Sequence, residues 1–126
     1  FTNTVRRVSG LSSVCMMVRM ETFFNVGCFD ESFCFAGFDT EFCLRMAGRG
    51  YASVYTPRAL IKSYVPIASI ADAQEQDIQR CYDAMRETMV RGDPYYNMNY
   101  DYASFEPRVA VHPVPPININ PVFKEK

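Results

Sequence analysis

The sequence has 126 residues, of which 48% are apolar, 14% are aromatic and 21% are charged, and its formal net charge at pH 7 is -1. This composition is that of a globular chain with a hydrophobic core, and it excludes a disordered or fibrous protein. With a net charge so close to zero, the chain has no overall positive potential that would attract nucleic acid or an acidic membrane. Its apolar runs are too short to cross a bilayer. We therefore expect at most one domain, no nucleic-acid partner and no transmembrane segment.

The cysteines indicate a reducing compartment. Their number is odd and no two of them have a Cys-x-x-Cys spacing, so we expect buried free thiols and a cytoplasmic location. The single histidine, His112, is far from every cysteine in the sequence, so we expect no zinc site. The five cysteines are Cys15, Cys28, Cys34, Cys43 and Cys81.

In chain order, the first predicted elements are a strand and two helices. Residues 14–18 form an uninterrupted apolar run, which is typical of a strand buried on both faces of a sheet. Residues 21–26 are predicted to form a short helix that Gly27 ends. A second helix is predicted over residues 39–47, because apolar side chains recur there at helical spacing and two glycines follow.

The next predicted elements are two short strands and a long helix. Residues 51–55 are predicted to form a strand, and residues 59–64 a second one. The long helix is predicted over residues 73–91, where Asp72 is a suitable N-cap and Glu75 its capping-box partner. The apolar stripe of this helix consists of Ile78, Cys81, Tyr82, Met85 and Met89.

Beyond this helix the chain changes character. Residues 93–126 carry most of the prolines and half of the tyrosines and show no helical periodicity, so we expect an extended tail with a short edge strand at 109–111. Two parts are thus predicted, an α/β unit over residues 1–92 and the Pro/Tyr-rich tail over residues 93–126. Because the sequence begins with Phe1 and not with methionine, we expect it to be cut from a longer polypeptide.

Two sequence blocks carry the functional signal. The first occupies residues 26–51 and contains the segments VGCFDESF, FDTEFCLR and AGRGY, and the second occupies residues 92–99 and reads GDPYYNMN. In the first block, Asp39 stands at the start of a predicted helix after a glycine-containing loop. A carboxylate in that position can face a cleft and accept a proton from a hydroxyl group. The alternative is that Asp39 only caps its helix.

In order and spacing, these blocks resemble glycosyltransferase family two, whose catalytic domain has the GT-A fold. In the family, the segments that correspond to the first block are Gly-Gly-Phe-Asp-Glu, then Glu-Asp-x-Asp-Leu-Cys-x-Arg, then an Ala-Gly-Tyr turn. Many bacterial members that build polysaccharides also carry Asp-Pro-Tyr-Tyr-Asn-Pro-Asn, which corresponds to the second block. In this sequence Met98 stands at the position of the second proline. The resemblance covers Ser9 to about Asn99.

This resemblance implies the C-terminal, acceptor-side half of a GT-A (nucleotide-diphospho-sugar transferase) domain. The implied fold is α/β, with a short mixed sheet, flanking helices and the extended C-terminal tail. Asp39 matches the second acid of the family's Glu-Asp pair, where the family has its catalytic base. The resemblance therefore implies that Asp39 takes the proton from the acceptor hydroxyl in an inverting sugar transfer.

The resemblance also implies substrate-binding positions around Asp39, and each has a structural alternative. Asp30 and Glu31 match the family's Asp-Glu near the acceptor and donor sugar, or form a solvated turn. Phe38 can form an aromatic platform under a sugar ring together with Phe33 and Phe35, or these rings pack beneath a short loop. Glu41 matches the next family acid, or serves the dipole of its helix. Arg45 can hold the diphosphate, or pair with Glu41 one turn away.

Three departures from the family concern its metal site. The upstream half of the domain is absent from the sequence, and with it the Asp-x-Asp loop that holds a divalent metal on the diphosphate. Phe38 replaces the glutamate before the base. Ser63, or alternatively Lys62, stands where members often carry a histidine that completes the site. We therefore expect a divalent metal, Mn or Mg, for the complete enzyme only, and no metal on this chain.

The leading hypothesis is thus a fragment of an inverting glycosyltransferase that is inactive alone. The complete enzyme would move a sugar from a nucleoside-diphosphate donor to a glycan or lipid-linked acceptor. The alternative is a non-catalytic acceptor-binding or assembly module that kept the fold and lost the metal site. The exposed edge of the strand at 14–18 also predicts self-association.

Overall fold

A computed structural model describes residues 3–64 and 75–96. In these residues the architecture is mixed α/β, as predicted, with a two-stranded sheet and three α-helices. The elements in chain order are β1 (Arg6–Val8), a 3-10 turn (Ser13–Cys15), α1 (Met20–Val26), α2 (Phe38–Gly48), β2 (Ser53–Tyr55) and α3 (Glu75–Arg91). Within these ranges, no helix combines the length and the apolar character needed to cross a membrane.

The chain divides into two units, Phe1–Met85 and Arg86–Lys126, and the division falls inside α3. The first unit contains β1, β2, α1, α2 and the first part of α3. The boundary predicted from composition, after residue 92, stays a prediction.

The two helices predicted in the first half are confirmed, and local hydrogen bonds explain where they end. After α1, the amide of Gly27 donates to the carbonyl of Phe24 (3.0 Å) and the amide of Cys28 to that of Phe23 (2.9 Å). This pair of bonds is a Schellman motif, which gives partners to carbonyls that the last helical turn leaves unpaired. The chain leaves α2 through the same pattern at Gly50.

The hydrophobic core of the first unit lies between α1 and α2. Phe42 is fully buried at its centre, and its ring lies 5.4 Å from that of Phe23 and 5.0 Å from that of Phe29, measured between centroids. Tilted and edge-on rings at such distances are favourable arrangements for buried aromatic pairs. The buried side chains are Val26, Phe42, Cys43 and Met46, and the partly buried side chains packed against them are Leu11, Met16, Val18, Phe23 and Phe29.

The strand predicted at residues 14–18 is wrong, because this segment begins in the 3-10 turn and pairs with no strand among the described residues. Met16 and Val18 pack against the core, whereas Val14 and Met17 are 45% and 97% exposed. An uninterrupted run of apolar residues occurs both in a strand that is buried on both faces and in a segment that is covered on one side only, so the run alone does not distinguish the two. The strand edge on which the predicted self-association depended is therefore not formed, and self-association stays a prediction without that basis.

The strand predicted at residues 51–55 is confirmed by β2, which pairs antiparallel with β1 so that Arg6 lies opposite Tyr55. The sheet of the described residues is therefore two-stranded and antiparallel, where a mixed sheet was predicted. The strand predicted at 59–64 is wrong, since no strand is formed there. Leu60 is 88% exposed, so the apolar side chains that suggested a strand are not covered by a neighbouring layer.

The long predicted helix is confirmed by α3 as far as the structure describes it. Asp72, its predicted N-cap, lies outside the described residues, and so does the predicted packing of Met89. After the helix, the amide of Tyr95 donates to Oδ1 of Asp93 (2.8 Å) and closes a turn. The remaining tail, residues 97–126 with its predicted edge strand, also lies outside the described residues.

The cysteines are all free, as expected, but most are not buried. Cys43 lies in the core, Cys28 and Cys81 are partly buried, and Cys15 and Cys34 are exposed. The expectation of buried thiols is therefore right for Cys43 and wrong for the two exposed cysteines.

Candidate active site

The candidate site is built around residues 28–37, which join α1 to α2 and are called the α1–α2 loop below. Its start is held by Arg45 of α2, whose Nη1 donates to the carbonyl of Val26 (3.0 Å) and Nη2 to that of Cys28 (2.9 Å). The same guanidinium forms two bonds of 2.7 Å to the carboxylate of Glu41. The hydrogen bond with Glu41 is the main cause that raises the pKa of Arg45. Arg45 thus fixes the end of α1 against α2.

The substrate-binding roles of Glu41 and Arg45 stay predictions, and the geometry supports their structural alternative. The two residues form the i,i+4 ion pair that their spacing suggested. Nε, Nη1 and Nη2 of Arg45 all donate to atoms of the protein. A diphosphate at this guanidinium would have to compete with those bonds.

Arg45→Lys is expected to lower the free energy of unfolding by about 2 kcal/mol, because one ammonium group cannot replace a planar fork bonded to a carboxylate and two carbonyls. The matched control is Arg91→Lys. Arg91 forms an i,i+4 pair with Glu87 (2.8 Å), but both side chains are mostly exposed, so about 0.5 kcal/mol or less is expected. Urea denaturation of both variants measures the difference, and equal losses would contradict the role assigned to Arg45.

Asp30 and Glu31 lie in an exposed turn of the α1–α2 loop. The amide of Ser32 donates to Oδ1 of Asp30 (2.9 Å), and the amide of Phe33 donates to the carbonyl of Asp30 (3.3 Å). The backbone hydrogen bond from Ser32 is the main cause that lowers the pKa of Asp30, with a contribution from the charge of Arg45. The turn predicted as the structural alternative is therefore formed, and its ionised, exposed carboxylate leaves the predicted substrate role open.

Phe38 is the first residue of α2, and its ring packs edge-on against Phe29 with 5.3 Å between centroids. Phe29 in turn contacts Phe42 in the core, so Phe38 extends the aromatic cluster of the core. Phe35 is 43% exposed. The packing alternative thus accounts for the position of Phe38, whose contact with a sugar stays a prediction.

Asp39 lies in the first turn of α2, where a negative charge is favourable. The N-cap position belongs to Gly37, so the alternative in which Asp39 is the N-cap is wrong. Oδ1 of Asp39 accepts from the amide of Thr40 (2.8 Å), and Oδ2 accepts from the amide of Ser13 (2.8 Å). A carboxylate oxygen has two lone pairs, so each oxygen retains a position for a further donor. The residue as a whole is partly buried.

The end of the α1–α2 loop is held by Asp77 of α3, a residue whose role was not predicted from the sequence. Its carboxylate is fully buried and accepts from the amides of Cys34 (2.9 Å), Phe35 (2.6 Å) and Ala36 (3.0 Å). The backbone hydrogen bond from Cys34 is the main cause that lowers the pKa of Asp77. The partners precede Asp77 by 41 to 43 residues, so no local pattern reveals the contact. The one hint in the sequence is that Asp77 adjoins Ile78 of the apolar stripe.

Asp39 and Asp77 both lie near the thiol of Cys81. Burial is the main cause that raises the pKa of Cys81, and the negative charges of the two carboxylates add to it. The candidate base and the residue that holds the α1–α2 loop thus both act on the pKa of the same thiol. In the part of the chain that the structure describes, no group of three or more His, Cys, Asp and Glu side chains could hold a metal ion.

The chain is similar to the O-antigen biosynthesis protein RfbC of Myxococcus xanthus, with 32% identity over 114 residues. The aligned part covers 89% of this chain and 9% of that protein, so the chain spans less than a tenth of the length of this relative. No family model matches the sequence, and no solved structure matches it.

Proposed function

We propose that the chain takes part in polysaccharide biosynthesis, as the acceptor-side part of an inverting glycosyltransferase. The observation that carries the proposal is the similarity to a protein named for O-antigen biosynthesis over 89% of the chain. The geometry around α2 supports it, because the two carboxylate oxygens of Asp39 are oriented by backbone amides and still have acceptor positions. Fixed orientation of a carboxylate is what proton removal from a hydroxyl requires.

In the proposed reaction, Asp39 accepts the proton of the acceptor hydroxyl. The freed electron pair of the oxygen forms a bond to the anomeric carbon of the donor sugar. On the opposite face, the bond from that carbon to the diphosphate oxygen breaks, and its electron pair leaves with the nucleoside diphosphate. The attack from the opposite face inverts the configuration of the carbon. Asp30, ionised in its exposed turn, is proposed to bind sugar hydroxyls at the rim of the site.

A divalent metal would neutralise charge on the diphosphate of the complete enzyme. The described residues of this chain offer no group of three or more His, Cys, Asp and Glu side chains that could hold it. We further propose that the complete protein works in the cytoplasm on a nucleoside-diphosphate sugar, with a glycan or lipid-linked acceptor.

The test is transfer of a labelled sugar by the longest polypeptide that carries this sequence, supplied with a panel of nucleotide sugars and glycan or lipid-linked acceptors. We expect labelled product and free nucleoside diphosphate in equal amounts. The 126-residue chain alone is expected to have no turnover, because donor positioning and diphosphate electrostatics supply much of the rate. No transfer from any donor would contradict the enzymatic proposal, and turnover by the chain alone would contradict its assignment to the acceptor side.

A non-catalytic acceptor-binding or assembly module is the second candidate. One observation in its favour is that the donors of Arg45 are engaged within the protein. Another is Phe38, which occupies the position of the family's glutamate and packs against Phe29. Such a module would bind the glycan acceptor and transfer nothing. Calorimetric binding of the acceptor by a polypeptide that fails in the transfer assay would support this candidate.

A further inference from the structure

A buried carboxylate outside α2 fixes the backbone that leads into the candidate base. Asp77 has no exposed surface, and three successive amides of the α1–α2 loop, at residues 34–36, donate to it. An ionised carboxylate away from water is costly unless hydrogen bonds replace its hydration. These bonds therefore both stabilise the charge and restrain three consecutive peptide groups of the loop.

The neighbouring cation does not take over this function. Nη1 of Arg80 lies 3.9 Å from Oδ1 of Asp77, beyond hydrogen-bond distance. That nitrogen is buried and has no hydrogen-bond partner among the described residues. The carboxylate of Asp77 is thus held directly by the loop amides, and Arg80 contributes charge from further away.

The restrained peptides lie a few residues before the candidate base in the chain. Gly37 follows the last of them, and its carbonyl accepts from the amide of Glu41 (2.9 Å), the first hydrogen bond of α2. On its other side Gly37 packs so closely on Cys81 of α3 that a Cβ atom at residue 37 would overlap Sγ. The start of α2 is therefore held between α3 and its own first turn, and Asp39 is two residues further on.

Resting on the proposed function, we infer that Asp77 is a positioning residue for glycosyl transfer. It anchors residues 34–36 to α3 and so sets the direction in which α2 starts and in which the carboxylate of Asp39 points. It does not touch the reacting atoms. Its removal should loosen the loop and lower turnover while binding of the nucleotide donor is retained.

The test uses Asp77→Asn in the longest polypeptide that carries this sequence. Asparagine has nearly the same size as aspartate but only one acceptor oxygen. Its side-chain NH2 group is a donor and therefore cannot accept from the remaining N–H groups of the loop. Hydrogen exchange of the amides at 34–36 is expected to become about 10-fold faster, with α1 unaffected. In the transfer assay kcat is expected to fall about 10-fold or more with an unchanged donor KM. The matched control is Asp83→Asn. Asp83 is an exposed residue of the same helix whose carboxylate accepts from Gln79, and its substitution should change neither the exchange rates at 34–36 nor kcat.

Acid pH provides a readout that is independent of transferase activity. The pKa of Asp77 lies below the ordinary value of 3.8, so the protection that the ionised carboxylate gives the loop is present above that pH and is lost as pH falls through the lowered pKa. Nη1 of Arg80 lies 3.9 Å from this carboxylate, and the charges of Asp39 and Asp77 both act on the thiol of Cys81. Asp77→Asn should remove this part of the pH dependence of exchange at residues 34–36, and Asp83→Asn should leave it.

The outcomes separate this inference from the proposed function. Unchanged exchange at residues 34–36 in Asp77→Asn overturns the inference whether or not the wild type transfers sugar. Faster exchange with an unchanged kcat also overturns it, because the loop would then be held without consequence for catalysis. If the wild type transfers nothing, the proposed function fails and the exchange data alone decide whether Asp77 anchors the loop. If Asp77→Asn unfolds the whole protein, Asp77→Glu is the second variant, since it keeps the negative charge but displaces the carboxylate oxygens. Asp77→Glu must then show faster exchange at residues 34–36. Exchange at the wild-type rate in this variant overturns the inference.

Discussion

Asp39→Asn is expected to lower the turnover of the complete polypeptide in the proposed sugar transfer on the order of 100-fold or more, because in that reaction the variant has no carboxylate to accept the proton of the acceptor hydroxyl. The structure also predicts a cost in stability. Asparagine has one acceptor oxygen, so only one of the bonds from Ser13 and Thr40 survives, and the free energy of unfolding should fall by about 1 kcal/mol. Donor affinity should be nearly unchanged. The measurements are kcat, donor KM and the melting temperature.

Glu41→Gln is the matched comparison, since Glu41 is an acidic residue of the same helical turn with a structural partner. It should weaken the pairing with Arg45 and leave kcat within a few-fold of the wild type. Near-normal turnover in Asp39→Asn together with an inactive Glu41→Gln would show that the base was assigned to the wrong carboxylate. If both variants are active, the resemblance does not locate the chemistry.

Gly37→Ala is expected to cause the largest loss of stability, about 3 kcal/mol or more. One part is backbone strain, since φ is 94° at this residue and an L side chain costs about 1–2 kcal/mol in that region. The other part is steric, because the new Cβ would overlap Sγ of Cys81, and overpacking of this kind costs about 1–3 kcal/mol. Equilibrium denaturation in urea measures the sum.

Two controls separate the parts. Gly50→Ala places an alanine at φ 84° with no atom within 4 Å of its Cβ, so it reports the backbone strain alone. In Gly37→Ala combined with Cys81→Ala the overlapping sulfur is removed, so the double variant should lose less than the sum of the single variants. Additive losses would show that Gly37 and Cys81 are not packed together as the structure has them.

Features fixed by neighbouring residues could be predicted from the sequence. α1 and α2 were located because helical spacing and terminal glycines are local signals. The pairing of Glu41 with Arg45 followed from their separation of four residues. The same reasoning failed at residues 14–18, because a strand depends on a partner elsewhere in the chain, and only one side of this segment is covered.

The contacts that shape the candidate site are non-local and could not be predicted. The bonds of Arg45 to the carbonyls of Val26 and Cys28 depend on the way α1 packs on α2. The contact of Asp77 with the α1–α2 loop depends on where α3 docks. A charged residue in an amphipathic helix is usually taken as solvent-facing, and only the tertiary structure shows that this carboxylate is buried.

The manner in which the α1–α2 loop is held has a consequence for redesign. Arg45 contacts carbonyl oxygens at its start, and Asp77 contacts amide groups at its end, so both anchors recognise main-chain atoms. The exposed side chains between them, at Glu31, Ser32 and Phe35, contribute to neither anchor. A library that randomises these three positions should therefore vary the exposed side chains of the loop while its backbone keeps one path, so the loop is suited to the selection of new binding properties.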